Sequence, residues 1–375
     1  MRFLLALFVS LFSLSALAQS VPPPALAANA WVLVDHATGQ VLAGKDPDAR
    51  IEPASLTKLM TAYLTFAALK AGTLSPDQQI PVSDRAWRIE GSRMFIEPNK
   101  PVTVGELIRG VIVQSGNDAC VALAEAIAGS EDAFAVLMNR EAQRLGMSNT
   151  HFTNASGLPD PQLYTTAADL ARLATAIIRD FPEYYSLYSL KEFTYNNIRQ
   201  PNRNRLLYMD PTVDGMKTGH TSSAGYCLVS TAQRGPRRLI SVVLGAASDT
   251  VRAQESLKLL NFGFQFFETV KLYAGGEALS QLRVWKGKLN ELPVGFSADF
   301  VMSLPKESAD KIQVTLESRQ PLVAPIQQGQ PVGTLSVTVD GKPFGQYPVV
   351  ALQDVEVAGF FGRLWDAIVM LFKSL

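Results

Sequence analysis

The amino-acid sequence predicts an α/β domain in which helices cover a mixed sheet, followed by a small all-β domain and a C-terminal amphipathic helix. Three observations support this fold class. Predicted strands stand at both ends of residues 19–272, with helices between them, as is typical of helices packed on a sheet. Residues 273–358 alternate between apolar and polar side chains, which indicates half-buried strands. Residues 359–375 repeat apolar side chains at the spacing of one helical face.

Residues 1–18 have the pattern of a secretory signal peptide. Arg2 precedes an apolar run that ends in Ala16-Leu17-Ala18, so we expect cleavage after Ala18. A membrane span is the alternative, but the apolar run is shorter than the roughly 20 residues that a span needs. No cysteine lies near the cleavage site, which argues against lipid attachment. The sequence therefore predicts an exported protein.

The elements of the α/β domain follow from periodicity and turn residues. An early hairpin surrounds Ala37-Thr38-Gly39. The first long helix starts at Leu56, because apolar residues recur with helical spacing from there, and Ser55 is a favoured N-cap. Its other face is uncharged, so we expect it to be buried all round. The other predicted elements are helices Val104–Gln114, Asp118–Ile127, Ala133–Leu145, Ala167–Asp180 and Val251–Val270, and strands Trp31–Asp35, Gln40–Ala43, Tyr226–Thr231 and Leu239–Gly245.

The β domain and the C-terminal helix rest on two further patterns. Gln313–Glu317 and Thr334–Val339 alternate, and a turn follows at Asp340-Gly341. Residues 359–375 are too short and too charged to span a bilayer. They either dock on the β domain or lie in the membrane interface, and their aromatic residues favour the interface. The apolar face comprises Phe361, Leu364, Trp365, Ile368, Phe372 and Leu375, and the charged residues Arg363, Asp366 and Lys373 lie towards the other side.

Composition excludes several classes of function. The 34 Lys and Arg residues balance the 34 Asp and Glu residues, so no net field attracts nucleic acid or acidic lipid. The three histidines are not spaced as in a helical zinc motif, and no metal or cofactor is expected. Cys120 and Cys227 lie in apolar runs. Two buried free thiols are favoured, although an exported protein could also pair them.

Three short motifs carry the chemical signal. In chain order they are Ser55-x-x-Lys58, Ser115-Gly116-Asn117 and Lys217-Thr218-Gly219. Ser-x-x-Lys occurs again at Ser303 and at Ser308, but in the β region, where positions i and i+3 do not share a helical face. The ordered set is typical of class A β-lactamases and penicillin-binding proteins, whose middle motif is Ser-Asp-Asn. Here Gly116 replaces the aspartate.

The first two motifs suit nucleophilic catalysis. A serine hydroxyl needs an adjacent base to take its proton. Lys58 can serve Ser55 only when neutral, and both burial and a second cation, Lys217, would lower its pKa. Ser115 could relay a proton to the leaving nitrogen. Asn117 could hold both Lys58 and the substrate amide.

The third motif suits recognition of a carboxylate. Lys217 and Thr218 would supply a cation and a hydroxyl, while Gly219 would let the substrate backbone approach the strand. Backbone N–H groups at Ser55 and near His220 would form an oxyanion hole for the tetrahedral intermediate. Together the motifs predict an acyl-transfer site.

Longer stretches extend the resemblance over essentially the whole mature chain. They are PASLTKLMTAY, SGNDAC, NRN at 202–204, VDGMKTGHTSSAGY and FFETV at 266–270. With them the sequence resembles the D-alanyl-D-alanine carboxypeptidases among the low-molecular-mass penicillin-binding proteins, close to penicillin-binding proteins 5 and 6. The resemblance implies a transpeptidase/β-lactamase-like domain followed by a β-rich C-terminal domain. It also implies an interfacial C-terminal helix.

The resemblance also implies roles for single residues. Ser55 is expected to be the acylated nucleophile, Lys58 the proton acceptor, Ser115 the second catalytic serine and Lys217 a substrate-binding residue. Four further residues match family positions close to the site: His220, Asp169, Arg203 and Arg252.

For those four residues, simpler explanations stay open. His220 could equally be a hydrogen-bonded structural histidine. Asp169 is better explained as a helix cap. Solvation or ion pairing would account for Arg203 and Arg252, of which only Arg252 has a case for a functional role.

Three fates of the acyl-enzyme are conceivable: hydrolysis of D-alanyl peptides, transpeptidation and β-lactam hydrolysis. Class A β-lactamases use a glutamate to activate the deacylating water. Its motif, Glu-x-x-Leu-Asn, does not occur in this sequence, and Glu192 with Asn196, the nearest candidate, has a different spacing. Large cross-linking transpeptidases usually carry long extra N-terminal domains, whereas the predicted catalytic domain begins directly after the predicted signal peptide. The sequence therefore predicts a carboxypeptidase that removes the terminal D-alanine from peptidoglycan pentapeptides and is inhibited covalently by β-lactams. A β-lactamase, or a weakly active cell-wall scaffold, is the alternative. The expected location is the periplasmic face of the cytoplasmic membrane.

Overall fold

The computed structural model describes residues 21–373, which form two compact units that divide between Phe267 and Glu268. The predicted signal peptide, residues 1–18, lies outside the described residues. The division falls before the predicted limit at residue 272. The helix that closes the first unit was expected to run to Val270, but it ends at Phe266 because Phe267 has extended backbone angles (φ −123°, ψ 155°).

The first unit contains nine strands and nine α-helices within the described residues. The strands are β1 Ala30–Asp35, β2 Val41–Lys45, β3 Gln79–Ile80, β4 Val102–Thr103, β5 Glu192–Tyr195, β6 Ile198–Pro201, β7 Val213–Thr221, β8 Gly225–Arg234 and β9 Arg237–Ala246. The helices are α1 Lys58–Lys70, α2 Asp84–Arg88, α3 Val104–Arg109, α4 Asn117–Ala128, α5 Glu131–Arg144, α6 Ala167–Asp180, α7 Pro182–Tyr185, α8 Leu206–Met209 and α9 Asp249–Phe266.

A five-stranded sheet organises the first unit, in the order β2-β1-β9-β8-β7. The predicted α/β class with a helix-covered sheet is confirmed. Every neighbouring pair of strands in this sheet is antiparallel. The sheet itself is therefore purely antiparallel. Helices α6 and α9 pack against β9, and α1 packs against α4 and α6. Helix α1 is buried over most of its length, as predicted.

Two helix boundaries differ from the prediction, and both lie beside sequence motifs. Ser55 does not cap α1. It lies in a 3-10 turn, Ala54–Thr57, and α1 begins only at Lys58, where Thr57 occupies the N-cap position and makes no side-chain capping bond. The helix predicted to continue from α3 instead becomes a π-helical turn, Gly110–Gln114. Such turns are rare and occur frequently at functional sites.

The second unit is the predicted β domain with a C-terminal helix. Its strands are β10 Phe267–Tyr273, β11 Ala278–Trp285, β12 Glu291–Gly295, β13 Phe300–Pro305, β14 Ile312–Ser318, β15 Leu322–Val323, β16 Pro331–Val339 and β17 Lys342–Ala351, and its helix is α10 Phe360–Lys373. Six strands form a sheet in the order β14-β16-β17-β12-β11-β15. The predicted turn at Asp340-Gly341 joins β16 to β17.

Candidate active site

The first motif places a lysine against a serine at the start of α1. Lys58 Nζ lies 2.9 Å from Ser55 Oγ, and a second hydrogen bond runs from Lys58 to the carbonyl of Ser156. Lys58 is only 1% exposed. Ala54, directly before the serine, has a φ of +47°, which is rare for a residue with a side chain. The turn therefore presents Ser55 in a strained, fixed position beside a buried amine.

The environment of Lys58 favours its neutral form. Burial is the main cause that lowers its pKa to about 8, and the positive charge of Arg203 contributes. Cys120 and Asp118 act in the opposite direction. The second cation that lowers this pKa was expected to be Lys217, but it is Arg203, a residue that the resemblance had placed close to the site.

A second lysine–serine pair joins the other two motifs. Lys217 Nζ donates a hydrogen bond of 2.9 Å to Ser115 Oγ and another of 3.1 Å to the carbonyl of Thr218. Burial, and then the charges of Lys58 and Arg203, hold the pKa of Lys217 well below its usual value. The two lysines therefore belong to one electrostatic cluster, in which each serine contacts its own lysine.

Backbone geometry fixes Ser115 at the junction between two helices. The π-helical turn ends at Ser115, which adopts a left-handed conformation with φ 63° and ψ 38°, and α4 begins two residues later at Asn117. A serine in this region is uncommon, and such outliers cluster at active sites. At this junction the Ser115 hydroxyl accepts the hydrogen bond from Lys217 on β7.

Asp118, which directly follows the second motif, was not singled out from the sequence. Its buried carboxylate accepts hydrogen bonds from the backbone N–H groups of Met94, Phe95 and Ile96, at 3.0, 2.8 and 3.2 Å. Gly116 makes room for it, since a Cβ atom at that position would lie 2.8 Å from the Asp118 carboxylate. Gly116, which replaces the aspartate of the usual motif, therefore packs against the carboxylate of Asp118.

Asn117 does not make the expected contact with Lys58. Its side-chain nitrogen donates a 2.6 Å hydrogen bond to the carbonyl of Glu90, and its backbone N–H donates to Ser92 at 2.7 Å. Asn117 therefore ties the segment around residues 90–92 to the start of α4. Its predicted contact with the substrate amide stays a prediction.

The glycine of the third motif faces the nucleophile turn. A Cβ atom at Gly219 would lie 3.0 Å from the carbonyl oxygen of Pro53 and 3.3 Å from the backbone nitrogen of Leu56. Strand β7 packs against this turn. We expected Gly219 to admit the substrate backbone, and the protein's own turn also favours a residue without a side chain here. Thr218 is buried next to it.

Arg252 and His220 both lie beside the third motif. Arg252 is only 7% exposed, and its guanidinium donates a 3.2 Å hydrogen bond to the carbonyl of Gly219, so it is neither solvated nor engaged mainly in an ion pair. It also lies over the ring of Tyr226, 5.5 Å from the centroid. The exposed ring of His220 contacts the same tyrosine at 4.0 Å. The predicted oxyanion hole at Ser55 and His220 stays a prediction.

Asp169 neither caps α6 nor forms a hydrogen bond with the two lysine–serine pairs. Thr166 caps α6, and Asp169 is buried in the first turn. Its carboxylate accepts a 2.8 Å hydrogen bond from Thr150 and a 2.9 Å bond from the N–H of Asn149. It also forms a 2.6 Å ion pair with Arg172. Asp169 therefore fixes the chain around residue 150.

The structure assigns ordinary surroundings to the remaining candidates. Cys120 and Cys227 are free and buried. Glu192 forms an exposed ion pair with Arg199, and Asn196 donates to the carbonyl of Phe95, so this pair does not form a buried water-activating base. Within residues 21–373, no group of His, Cys, Asp and Glu side chains could hold a metal ion.

Comparison with known proteins gives the same assignment for both units. Residues 17–248 match the family described as D-alanyl-D-alanine carboxypeptidase, and residues 267–357 match the C-terminal domain of penicillin-binding protein 5. The D-alanyl-D-alanine carboxypeptidase DacC of Escherichia coli strain K12 is 44% identical over 377 residues, which cover 98% of this chain and 94% of that protein.

Solved structures agree with the sequence comparisons. Penicillin-binding protein 5 from Haemophilus influenzae superimposes with a TM-score of 0.87 at 43% identity, over 90% of this chain and 99% of that one. Penicillin-binding protein D2 from Listeria monocytogenes, in its ampicillin-bound form, gives a TM-score of 0.60 at 33% identity, over 65% of this chain and 100% of that one.

Proposed function

This chain belongs to the D-alanyl-D-alanine carboxypeptidase family, and on that premise we propose that Ser55 is the nucleophile through which it acts. It is a serine-type hydrolase that removes the terminal D-alanine from peptidoglycan pentapeptide stems. One observation carries the choice of Ser55. Its hydroxyl lies 2.9 Å from the amine of Lys58, whose pKa burial lowers to about 8.

In the first half-reaction, Ser55 Oγ attacks the carbonyl carbon between the two D-alanine residues and passes its proton to Lys58 Nζ. The carbon–nitrogen bond then breaks, and the proton held by Lys58 passes through the Ser115 hydroxyl to the leaving D-alanine nitrogen. In the second half-reaction, water gives a proton to Lys58 as it adds to the acyl carbon, the ester bond to Ser55 breaks, and Lys58 returns that proton to the serine oxygen. The shortened peptide leaves with a new carboxylate.

β-Lactams are expected to acylate Ser55 in the first half-reaction and not to undergo the second. Ser55 opens the lactam ring, and the ring nitrogen stays attached to the acyl group instead of leaving. The lasting acyl-enzyme would block the site, which makes a fluorescent penicillin a label for the nucleophile. D-alanine release from a pentapeptide, measured beside this label, tests the proposed function. Labelling without release would favour a penicillin-binding scaffold over an enzyme.

We assign Lys217 to the terminal carboxylate of the substrate. Peptide and penicillin each carry a carboxylate, whose negative charge would favour the protonated form of Lys217 once it is bound, and a charge-assisted hydrogen bond contributes about 1.5–3 kcal/mol. Lys217→Ala should therefore slow the reaction with both substrates about 10- to 100-fold while leaving the melting temperature nearly unchanged. The check compares a pentapeptide that ends in a free acid with its C-terminal amide. Equal rates for the two peptides would rule out carboxylate recognition.

We propose that α10 binds the surface of the membrane from the periplasmic side. Its aromatic residues face outward: Phe361 is 83% exposed, Trp365 68% and Phe372 72%. The opposite side is tethered to the β domain, where the Asp366 carboxylate accepts the backbone N–H of Lys286. Among the described residues, no helix has the length and hydropathy to cross a membrane. An exposed aromatic face on a short helix suits the interface.

Deleting residues 359–375 should abolish membrane binding and leave the activity intact, because neither lysine–serine pair involves these residues. Co-sedimentation with phosphatidylethanolamine/phosphatidylglycerol vesicles measures binding, and D-alanine release measures activity. As a matched control, the full-length protein with Phe361, Trp365 and Phe372 replaced by serine should also fail to sediment. If the truncated protein still sedimented, or lost its fold, α10 would be a docked structural helix.

A further inference from the structure

The side chain of Asn154 organises a tight loop behind the nucleophile. Its Oδ1 atom accepts hydrogen bonds from the backbone N–H groups of Ser156, Gly157 and Leu158, at 3.2, 2.7 and 3.2 Å. The Ser156 hydroxyl donates to the same oxygen at 3.2 Å. The Asn154 side-chain nitrogen donates to the carbonyl of Leu158 at 3.0 Å. One amide group therefore determines the conformation of residues 154–158, which we call the 154–158 loop.

The 154–158 loop touches the nucleophile turn at two points. The carbonyl of Ser156 accepts a hydrogen bond from Lys58. Next to it, Gly157 packs so closely that a Cβ atom there would lie 1.8 Å from the carbonyl oxygen of Ala54. Ala54 is the residue with positive φ directly before Ser55. The loop thus contacts the base through a hydrogen bond and supports the strained turn by direct packing.

A separate set of bonds holds the loop to the protein. Thr61 donates a 2.6 Å hydrogen bond to the carbonyl of Ala155, and the Glu131 carboxylate accepts the N–H of Ala155 at 3.1 Å. These bonds do not involve the Asn154 side chain. Removing that side chain should therefore free residues 156–158 while the loop stays attached and the domain stays folded.

The direction of the Lys58 amine matters for its role as a base. A neutral amine has one lone pair and two N–H bonds. When one N–H donates to the Ser156 carbonyl, the lone pair can be directed at Ser55 Oγ, 2.9 Å away. If the carbonyl moves, the amine rotates freely and the productive direction is lost. Misplacement of a reacting group by about 1 Å costs on the order of 100-fold in rate.

We propose that Asn154 is a positioning residue for Lys58, acting through the Ser156 carbonyl and the packing of Gly157 on the nucleophile turn. The inference rests on the proposed role of Lys58 as the base. Asn154 itself touches neither the substrate nor Ser55. Its effect on the reaction is transmitted by the backbone of the 154–158 loop.

The test compares Asn154→Ala with the matched variant Asn139→Ala. Asn139 also uses its side chain to hold backbone, accepting the N–H of Phe152 at 2.8 Å and donating to its carbonyl at 2.7 Å, but it does not contact the 154–158 loop. We expect Asn154→Ala to slow acylation by a fluorescent penicillin about 100-fold, as for a misplaced reacting group. Asn139→Ala should lower the melting temperature with acylation within about threefold of the wild type. Asn154→Asp keeps the oxygen acceptor but loses the N–H donor to Leu158, so it should recover only part of the rate.

The pH profile of acylation separates positioning from a general loss of stability. The groups that act on the Lys58 charge are Arg203, Cys120 and Asp118, and Lys58 in turn lowers the pKa of Lys217. Freeing the loop admits water to Lys58 and weakens the burial that lowers its pKa. The acid limb of the pH–rate profile for acylation should therefore move to higher pH in Asn154→Ala but not in Asn139→Ala.

Two results would overturn the proposal: acylation by Asn154→Ala within threefold of the wild type, or a slower rate with an unmoved acid limb. Failure of the proposed function looks different. If Lys58 were not the base, the Lys58→Arg variant would be acylated at the normal rate, whatever the acylation rate of Asn154→Ala.

Discussion

Ser55→Ala should reduce both D-alanine release and penicillin labelling to background. The hydroxyl that attacks the substrate is then gone, and the neighbouring amine of Lys58 has no proton to accept. The fold should persist, because Pro53 and not Ser55 occupies the N-cap position of the turn. D-alanine release, gel fluorescence with a labelled penicillin and the melting temperature together measure this outcome.

The chain provides a matched control for this prediction. Ser308 and Lys311 repeat the Ser-x-x-Lys pattern in the β domain, where a three-residue 3-10 turn replaces the long helix. Ser308→Ala should leave both activities unchanged. Labelling that survived in Ser55→Ala, or that disappeared in Ser308→Ala, would show that the motif had been assigned to the wrong serine.

Lys58→Arg should slow acylation about 10²- to 10⁴-fold, the usual contribution of a general base. The positive charge is kept, but a guanidinium does not release its proton in the working pH range. The rate of labelling by a fluorescent penicillin measures the loss, with circular dichroism as the control for folding. Acylation near the wild-type rate would mean that another group takes the serine proton.

The same base predicts the pH dependence of the wild type. Burial lowers the pKa of Lys58 to about 8, so about one tenth of the protein has a neutral amine at pH 7, compared with about one in 3,000 for an ordinary lysine. Acylation should rise with pH until about pH 8 and then level off, because the neutral form is the active one. A rate that fell as pH rose from 6 to 8 would contradict this assignment.

Local patterns in the sequence predicted much of the fold. Helix α6 has the predicted bounds, Ala167–Asp180, because its apolar spacing is regular and Thr166 caps its start. The pair Ser55 and Lys58 was predicted from their spacing of three residues on one helix. In the structure Ser55 lies in a 3-10 turn, yet the contact is kept, because a tight turn also brings residues three apart onto one side.

Contacts between distant parts of the chain could not be predicted in the same way. Lys58 and the Ser156 carbonyl are 98 residues apart in sequence, and no local pattern identifies a backbone carbonyl as a partner. Asp118 begins the predicted helix Asp118–Ile127, and no local pattern shows that the chain around Met94 folds onto its carboxylate. Gly219 appeared to face the substrate, because its packing against Pro53 is visible only in the folded chain.

Localising the penicillin adduct tests the central claim most directly. The protein is treated with ampicillin, digested and analysed by tandem mass spectrometry, so that the mass added by the opened lactam is located on a single residue. We predict an adduct on Ser55 and on no other residue. An adduct on Ser115, or a protein that carries none, would contradict the account.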